Sequence, residues 1–205
     1  MEIKVAGRLV LASASPRRRE LLTLMGLAFE VAPSGIEEAS REGDTPGEHV
    51  LRLAKQKAQA LSALYPDSWI MGADTIVVLD EEILGKPGAA SEAREMLRKL
   101  SGREHQVYTG FALARKETDL LLGDVARSSV FFKNISEEEI NRYVRTEEPY
   151  DKAGGYALQG RGAFFISKIN GSYTNVIGLP LCEVVSLMRR VGAIIFPGGK
   201  QCIRP

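Results

Sequence analysis

Ser13, Ser15, Arg17 and Arg18 bring hydroxyls and guanidinium groups together directly after a short apolar run. Ser15 fits the N-cap position of a helix, and Pro16 fits its first turn. The two arginines then lie at the positive end of the helix dipole, where acidic side chains are preferred. Hydroxyls, free backbone amides and guanidinium groups favour phosphate binding at this point. A basic first turn that is simply solvated is the alternative.

Asp74 is the charged residue in an otherwise apolar run, WIMGADTIVVL, at residues 69–79. An aspartate within a buried strand is costly unless it is hydrogen-bonded, paired or bound to a metal. Gly72 permits a bulge or a close backbone approach, and we predict a strand interrupted at residues 72–75. Asp74 is therefore the strongest single-residue indication of chemistry in the chain.

Two lysines and an acidic pair could complete such a site. Lys57 lies on the apolar stripe of a predicted helix. A lysine there either extends to water, which is the commoner outcome, or points its ammonium into a site. A tight hairpin after the Asp74 strand would return Lys86 to its neighbourhood. Glu37 and Glu38 are surface charges by default, and they matter only beside a cation or a metal.

Strands and helices must position these residues. The patterns predict strands near residues 9–12, 29–32, 69–79, 105–115, 118–133 and 163–169, and helices near 16–25, 46–65, 91–100 and 136–145, with a last helix ending near 190. No internal repeat or linker separates them. We predict one domain over residues 1–205, with the tail of about 192–205 unassigned.

Composition narrows the class of protein. The chain has 205 residues and 44% hydrophobic content, enough for a sizeable core. With 27 Lys+Arg against 26 Asp+Glu, it lacks the basic excess of a general nucleic-acid binder. Cys182 and Cys202 form no CxxC pair, so we expect neither a disulfide framework nor a structural zinc site. No apolar run approaches a membrane span. We expect a cytoplasmic protein with no nucleic-acid or membrane partner.

The residue types favour phosphoryl chemistry. His49 and His105 lack metal-ligand spacing, and no Ser-His-Asp or Cys-His set is recognisable. Carboxylates such as Asp74 and Glu38, next to lysines and arginines, could hold a divalent cation, Mg²⁺ or Mn²⁺, together with substrate phosphates. Asp74 or the bound metal would then activate a water molecule.

Seven blocks carry a family resemblance. They are ASASPRRRELL, the Glu37-Glu38 loop, LAKQKA, GADTIVV, GKP, SGREHQVYTG and DKAGGYALQGRGAFFISKINGSYTNVIGLP. In order and spacing, over residues 8–190, they resemble the Maf family of nucleoside triphosphate pyrophosphatases, which hydrolyse NTP to NMP and diphosphate. The resemblance implies an α/β fold similar to the inosine-triphosphate pyrophosphatase group, with a twisted mixed sheet flanked by helices and two lobes around a cleft.

The resemblance also implies roles for individual residues. Asp74 would be the catalytic proton acceptor, and Glu38, Lys57 and Lys86 match the remaining active-site acid and lysines. Glu37 is an adjacent alternative for the acid. The phosphates would be held by Ser13, Ser15, Arg17 and Arg18. The substrate-specificity positions match Arg17, Thr75 and Gln159.

Asp-Thr at positions 74–75 with Gln159 resembles the branch that acts on dTTP and UTP rather than on 7-methyl-GTP. A glutamine amide can read a pyrimidine edge with one donor and one acceptor. We therefore expect dTTP and UTP, or modified pyrimidine nucleotides, as substrates. The alternatives are a Maf enzyme specific for 7-methyl-GTP and a non-catalytic nucleotide-binding regulator linked to cell division. Oligomeric state is left open, with a homodimer as one option.

Overall fold

The computed structural model describes residues 2–197. The strands in this range are β1 (Lys4–Val5), β2 (Arg8–Leu11), β3 (Glu30–Val31), β4 (Ser68–Leu79), β5 (Glu82–Leu84), β6 (Glu104–Arg115), β7 (Leu120–Phe132), β8 (Ile166–Asn170) and β9 (Ile194–Ile195). The helices are α1 (Pro16–Leu24), α2 (Pro46–Ser62), α3 (Ala90–Leu100), α4 (Glu137–Tyr143), α5 (Tyr173–Ile177) and α6 (Leu181–Arg190). No helix among these residues is long and apolar enough to cross a membrane.

The main sheet is mixed and has the order β3-β2-β4-β6-β7-β8, with β5 added to β4. β2 pairs in parallel with both β3 and β4, whereas the β4-β6, β6-β7 and β7-β8 pairs are antiparallel. Helices flank this sheet and pack apolar residues against it. The prediction of an α/β fold with a mixed sheet is therefore confirmed.

β4 is continuous, so the predicted interruption at residues 72–75 is wrong. Its pairing with β6 runs without a break from Ile70 to Val78. Gly72 serves close approach instead, because a Cβ there would lie 2.1 Å from the carbonyl oxygen of Ala54 on α2. The glycine lets α2 press against the sheet at the level of Asp74.

The opposite edge of β4 is only partly paired. β2 pairs with residues 68–71, and β5 pairs with residues 77–79. Since β6 occupies the other side of β4, residues 72–76 have no strand partner among residues 2–197 on this edge. We call this stretch the β4 gap. The chain leaves β2 here and turns into α1, as it does at the ligand-binding edges of many α/β sheets.

Apolar cores lie on both sides of the β4 gap. One core joins α1 and α6 to the sheet and includes Leu22, Met71 and Met188. Another joins α3 and α4 to the far end of β4 and includes Leu97 and Phe165. α2 covers the opposite face of the sheet. A cleft is lined by members of the first two cores, which matches the predicted arrangement of a cleft between two lobes.

Two other predictions are affected. The strand expected at residues 163–169 begins only at Ile166, because residues 161–165 form a 3₁₀ turn held by local and side-chain hydrogen bonds. Within the described range the tail contributes β9, which pairs antiparallel with β1. Cys202 and the remaining tail lie outside the described residues.

Candidate active site

The cleft beside the β4 gap has a volume of about 460 Å³. All ten residues predicted to form the site line it: Ser13, Ser15, Arg17, Arg18, Glu38, Lys57, Asp74, Thr75, Lys86 and Gln159. Glu37, the alternative to Glu38, is not among the lining residues. The fold therefore brings together residues that lie far apart along the chain, while their roles remain predictions.

Asp74 and Thr75 reach the cleft from opposite faces of β4. Successive side chains on a strand alternate between the two faces. The Asp74 side chain points toward α2, the same side to which a Cβ at Gly72 would point. The Thr75 side chain points toward α1 and Gly178. Because the edge between them is the β4 gap, both side chains border the same open space. Two consecutive residues therefore line two different walls of the cleft.

Lys57 joins two carboxylates at the base of the cleft. Its Nζ lies 2.7 Å from Oδ1 of Asp74 and 2.6 Å from Oε1 of Glu38. The side chains of Lys57 and Asp74 are 7% and 9% exposed, whereas Glu38 is 55% exposed. Burial alone would raise the pKa of Glu38. The Lys57 hydrogen bond and the charges of Lys57, Lys86 and Arg18 outweigh burial and lower it. Glu38 is thus held ionised beside Asp74.

Arg18 is built into the wall of the cleft and is 8% exposed. Its Nε donates to the carbonyl of Gly178 at 2.9 Å, and Nη1 donates to Ala73 O at 2.8 Å and Ser13 Oγ at 3.2 Å. Nη2 donates to Thr75 Oγ1 at 2.9 Å. Burial lowers the pKa of this guanidinium, and the charges of Asp74 and Glu38 partly offset that effect. One N–H of an arginine's five remains for a ligand.

The N-terminus of α1 is open toward the cleft. Ser15 occupies the N-cap position with extended backbone, but its side chain makes no cap hydrogen bond and the first turn holds no acidic residue. The N–H of Ser15 donates to Ser13 Oγ at 3.2 Å. The predicted N-cap position of Ser15 is therefore confirmed, although its side chain does not cap the helix. Backbone donors that a cap would have used are left toward the cleft, which suits an anion.

Arg17 differs from its neighbour Arg18. Its side chain is 27% exposed, and Nη1 lies 3.2 Å from Oδ2 of Asp151. Asp151 and Lys152 also line the cleft, although sequence reasoning assigned neither of them to the site. The available signal was their place at the start of the glycine-rich block that carries part of the family resemblance. With them, five cationic side chains and three carboxylates of the described residues line the cleft, so it favours an anionic ligand.

Lys86 and Gln159 border the cleft from exposed positions. β5 returns the chain toward Asp74 as predicted, and Lys86 follows it. The backbone N–H of Gly154 donates to Gly85 O at 3.0 Å. This bond fastens the glycine-rich segment, which continues to Gln159, onto the turn that carries Lys86. The two side chains therefore belong to one connected part of the cleft wall.

The carboxylates fit a divalent cation shared with a ligand. Within residues 2–197 no group of three or more His, Cys, Asp or Glu side chains comes together. Asp74 and Glu38 instead converge on one ammonium, each through a single oxygen. Their other oxygens have no hydrogen bond within the described chain. A pair of carboxylates supplemented by phosphate oxygens and water is a donor set that Mg²⁺ accepts.

Fold and cleft together describe an α/β protein with an open, cation-rich cleft at the edge of a mixed sheet. The sequence model described as Maf-like protein matches residues 8–191, so the chain belongs to the Maf-like family. A protein of Syntrophus aciditrophicus (strain SB) named dTTP/UTP pyrophosphatase is 58% identical over 194 residues, which cover 95% of each chain. Proteins with the same name from Geotalea uraniireducens (strain Rf4) and Geobacter sp. (strain M21) are 49% and 52% identical. These matches cover 94% and 91% of this chain, and 99% and 96% of theirs.

Among solved structures, the Staphylococcus aureus Ham1 protein is similar over 78% of this chain and 80% of its own, with 14% identity and a TM-score of 0.46.

Proposed function

We propose that this chain is a nucleoside triphosphate pyrophosphatase that hydrolyses dTTP and UTP to the monophosphate and diphosphate. The observation that carries the proposal is the buried Lys57–Asp74 pair at the β4 gap, opposite the open N-terminus of α1. The Asp74 carboxylate and the N-terminus of α1 border the same cleft. Hydrolysis of a phosphoanhydride needs both a proton acceptor and a binding site for the phosphates. The relatives named dTTP/UTP pyrophosphatase support the same activity.

In this mechanism, Asp74 accepts a proton from a water molecule. The water oxygen attacks phosphorus, and the α–β phosphoanhydride bond breaks. The electrons of that bond leave with the diphosphate. Arg17, Lys86 and the backbone amides of α1 bind the phosphate oxygens and stabilise the charge that develops there. Lys57 holds the Asp74 carboxylate in place. Arg18 braces the wall and offers its remaining N–H.

Asp74 and Glu38 would hold a divalent cation, Mg²⁺ or Mn²⁺, which when bound supplies positive charge to the substrate phosphates. Gln159 would contact the pyrimidine edge through its amide, which has no hydrogen bond within residues 2–197. Thr75 would contribute to specificity from the wall that contains Arg18. Its hydroxyl lies 2.9 Å from both Arg18 Nη2 and Thr109 Oγ1. Arg17 completes the specificity set.

A diphosphate-release assay tests this proposal with dTTP, UTP, CTP, GTP, 7-methyl-GTP and ITP in the presence of Mg²⁺ or Mn²⁺. We expect release from dTTP and UTP. Asp74→Asn should lower turnover by about 10²- to 10⁴-fold, as expected for loss of a general base. Asp67→Asn, which changes an exposed aspartate just before β4, should leave turnover unchanged.

Three outcomes would contradict the proposal at different levels. No diphosphate from any nucleotide refutes the enzyme. Calorimetric binding of UTP without turnover would instead indicate a nucleotide-binding regulator. Fastest release from 7-methyl-GTP would leave the reaction intact but refute the pyrimidine preference.

A further inference from the structure

Glu148 places its carboxylate beneath the backbone that follows Gln159. Oε2 accepts a hydrogen bond from the N–H of Arg161 at 2.8 Å, and Oε1 accepts one from the N–H of Gly162 at 2.9 Å. Tyr143 donates its hydroxyl to Oε1 at 2.9 Å from behind. Burial opposes ionisation of Glu148, but these hydrogen bonds and the charge of Lys152 outweigh it and lower the pKa.

Two glycines make room for this arrangement. A Cβ at Gly160 would lie 2.5 Å from the Glu148 carboxyl group, and a Cβ at Gly162 would lie 2.7 Å from the Tyr143 hydroxyl. Neither glycine has a positive φ angle, so space rather than backbone conformation requires them. The Gly-Arg-Gly segment after Gln159 is therefore shaped to fit one carboxylate.

Gln159 is consequently fixed from both sides. Leu158, before it, packs against the core formed with α1 and α6. The segment after it is bound by Glu148. No hydrogen bond within the described residues holds the Gln159 amide itself, so the position from which it reaches into the cleft depends on its backbone. A side chain that must distinguish one donor–acceptor pattern from another needs such a rigid base.

We infer that Glu148 is a positioning residue that sets base discrimination by holding the backbone of Gln159. The inference rests on the proposed function, in which Gln159 contacts the pyrimidine. Glu148 does not line the cleft, so it is not placed to contact a substrate. It acts through the main chain of residues 161 and 162.

The experiment compares binding of non-hydrolysable α,β-methylene analogues of UTP and CTP, together with inorganic diphosphate, by calorimetry. Glu148→Gln keeps the size of the side chain but turns an amide NH₂ toward a backbone N–H. We expect the UTP-over-CTP preference to fall at least tenfold, as in Gln159→Ala, while diphosphate affinity stays within about twofold. Glu147→Gln, a neighbouring exposed glutamate, is the control and should keep the wild-type preference.

Tyr143→Phe provides a milder second variant in case Glu148→Gln does not fold. It removes one of the three hydrogen bonds from outside the cleft, and we expect a several-fold loss of preference. A wild-type preference in Glu148→Gln would overturn the inference. So would a parallel loss of diphosphate affinity, because that would indicate general damage to the cleft.

Binding and turnover separate this inference from the proposed function. A wild-type protein that binds UTP analogues selectively but releases no diphosphate refutes the enzyme and leaves the role of Glu148 measurable. A wild-type protein that hydrolyses UTP but shows no preference over CTP refutes the inference, because there is then no discrimination to position.

Discussion

Lys57 on α2 donates a 2.7 Å hydrogen bond to Asp74 on β4, and the two side chains are 7% and 9% exposed. The bond spans the contact between a helix and a strand that Gly72 allows to approach closely. Packing and chemistry therefore depend on the same few atoms. A change in the helix–strand distance would alter the site directly.

Replacing Lys57 with Met should damage both stability and activity. Asp74 would remain buried without its counter-charge, and losing one partner of a buried pair costs about 3–5 kcal/mol. Because Lys57 lowers the pKa of Glu38, its removal should also shift the acid limb of the pH–rate profile to higher pH. Urea unfolding and a pH–rate profile measure these effects. Lys55→Met, on another face of α2, should change stability by less than about 0.5 kcal/mol.

Gly72→Ala should separate α2 from β4. Its new Cβ would lie 2.1 Å from Ala54 O and 2.8 Å from Ala58 N, both backbone atoms that cannot turn aside. Overpacking of this kind costs about 1–3 kcal/mol, and diphosphate release should fall because Lys57 moves from Asp74. A Cβ at Gly47, also on α2, would lie 3.9 Å from Val125 Cγ1, an ordinary van der Waals distance, so Gly47→Ala should be neutral or stabilising. Equal melting temperatures for the two variants would contradict the close-approach explanation.

Lysine substitution should distinguish the two arginines. Arg18→Lys leaves buried acceptors such as Gly178 O without their donor and should lower the free energy of unfolding by about 3 kcal/mol, since hydrogen bonds to charged groups contribute about 1.5–3 kcal/mol each. Arg17→Lys alters a half-exposed pair with Asp151 and should change stability by less than about 1 kcal/mol. Both should slow UTP hydrolysis. Unfolding curves that shift equally would show that Arg18 has no bracing role.

His105 should make the fold sensitive to acid. Its Nε2 lies 2.7 Å from the Tyr156 hydroxyl, Nδ1 has no partner within the described chain, and burial lowers its pKa to about 4. Because the folded-state value lies below the unfolded-state value, the unfolded chain takes up the proton first as pH falls from 6.5. The contribution of His105 to the free energy of unfolding is thus fully present above pH 6.5, and about 3 kcal/mol of it is lost as the pH falls toward 4.

Urea unfolding between pH 7.5 and 4.5 measures this loss. His105→Gln retains a hydrogen-bonding group for Tyr156 but cannot titrate in this window, so its stability should decline less steeply. Parallel pH dependences for wild type and His105→Gln would assign the acid sensitivity to other groups.

Local sequence patterns predicted much of the fold because the spacing of apolar residues reflects which face of a helix or strand is buried. The stripe on α2 placed Lys57 on the apolar face but left open whether its ammonium reaches water or a site, and the apolar run around Asp74 predicted β4. Patterns misjudged Gly72, because whether a glycine bends a strand or admits a helix depends on the helix that packs there. Ser15 likewise fits the N-cap by type, but its side chain makes no cap bond.

Long-range partners explain what sequence reasoning missed. The acceptors that bury Arg18 include Gly178 O, 160 positions along the chain, so nothing near residue 18 distinguishes it from Arg17. Glu148 resembles any surface glutamate until the fold brings residues 161 and 162 above it. Such roles arise from tertiary contacts between segments that are distant in sequence, and no local sequence pattern marks them.

The β4 gap also bears on association between molecules. An unpaired strand edge is a template for adding a strand from another chain. Here β2 and β5 close the edge on either side, and Arg18 already binds Ala73 O within it. A strand from another chain would have to displace these contacts, so the sheet can keep this edge open toward the cleft without presenting a ready template for aggregation.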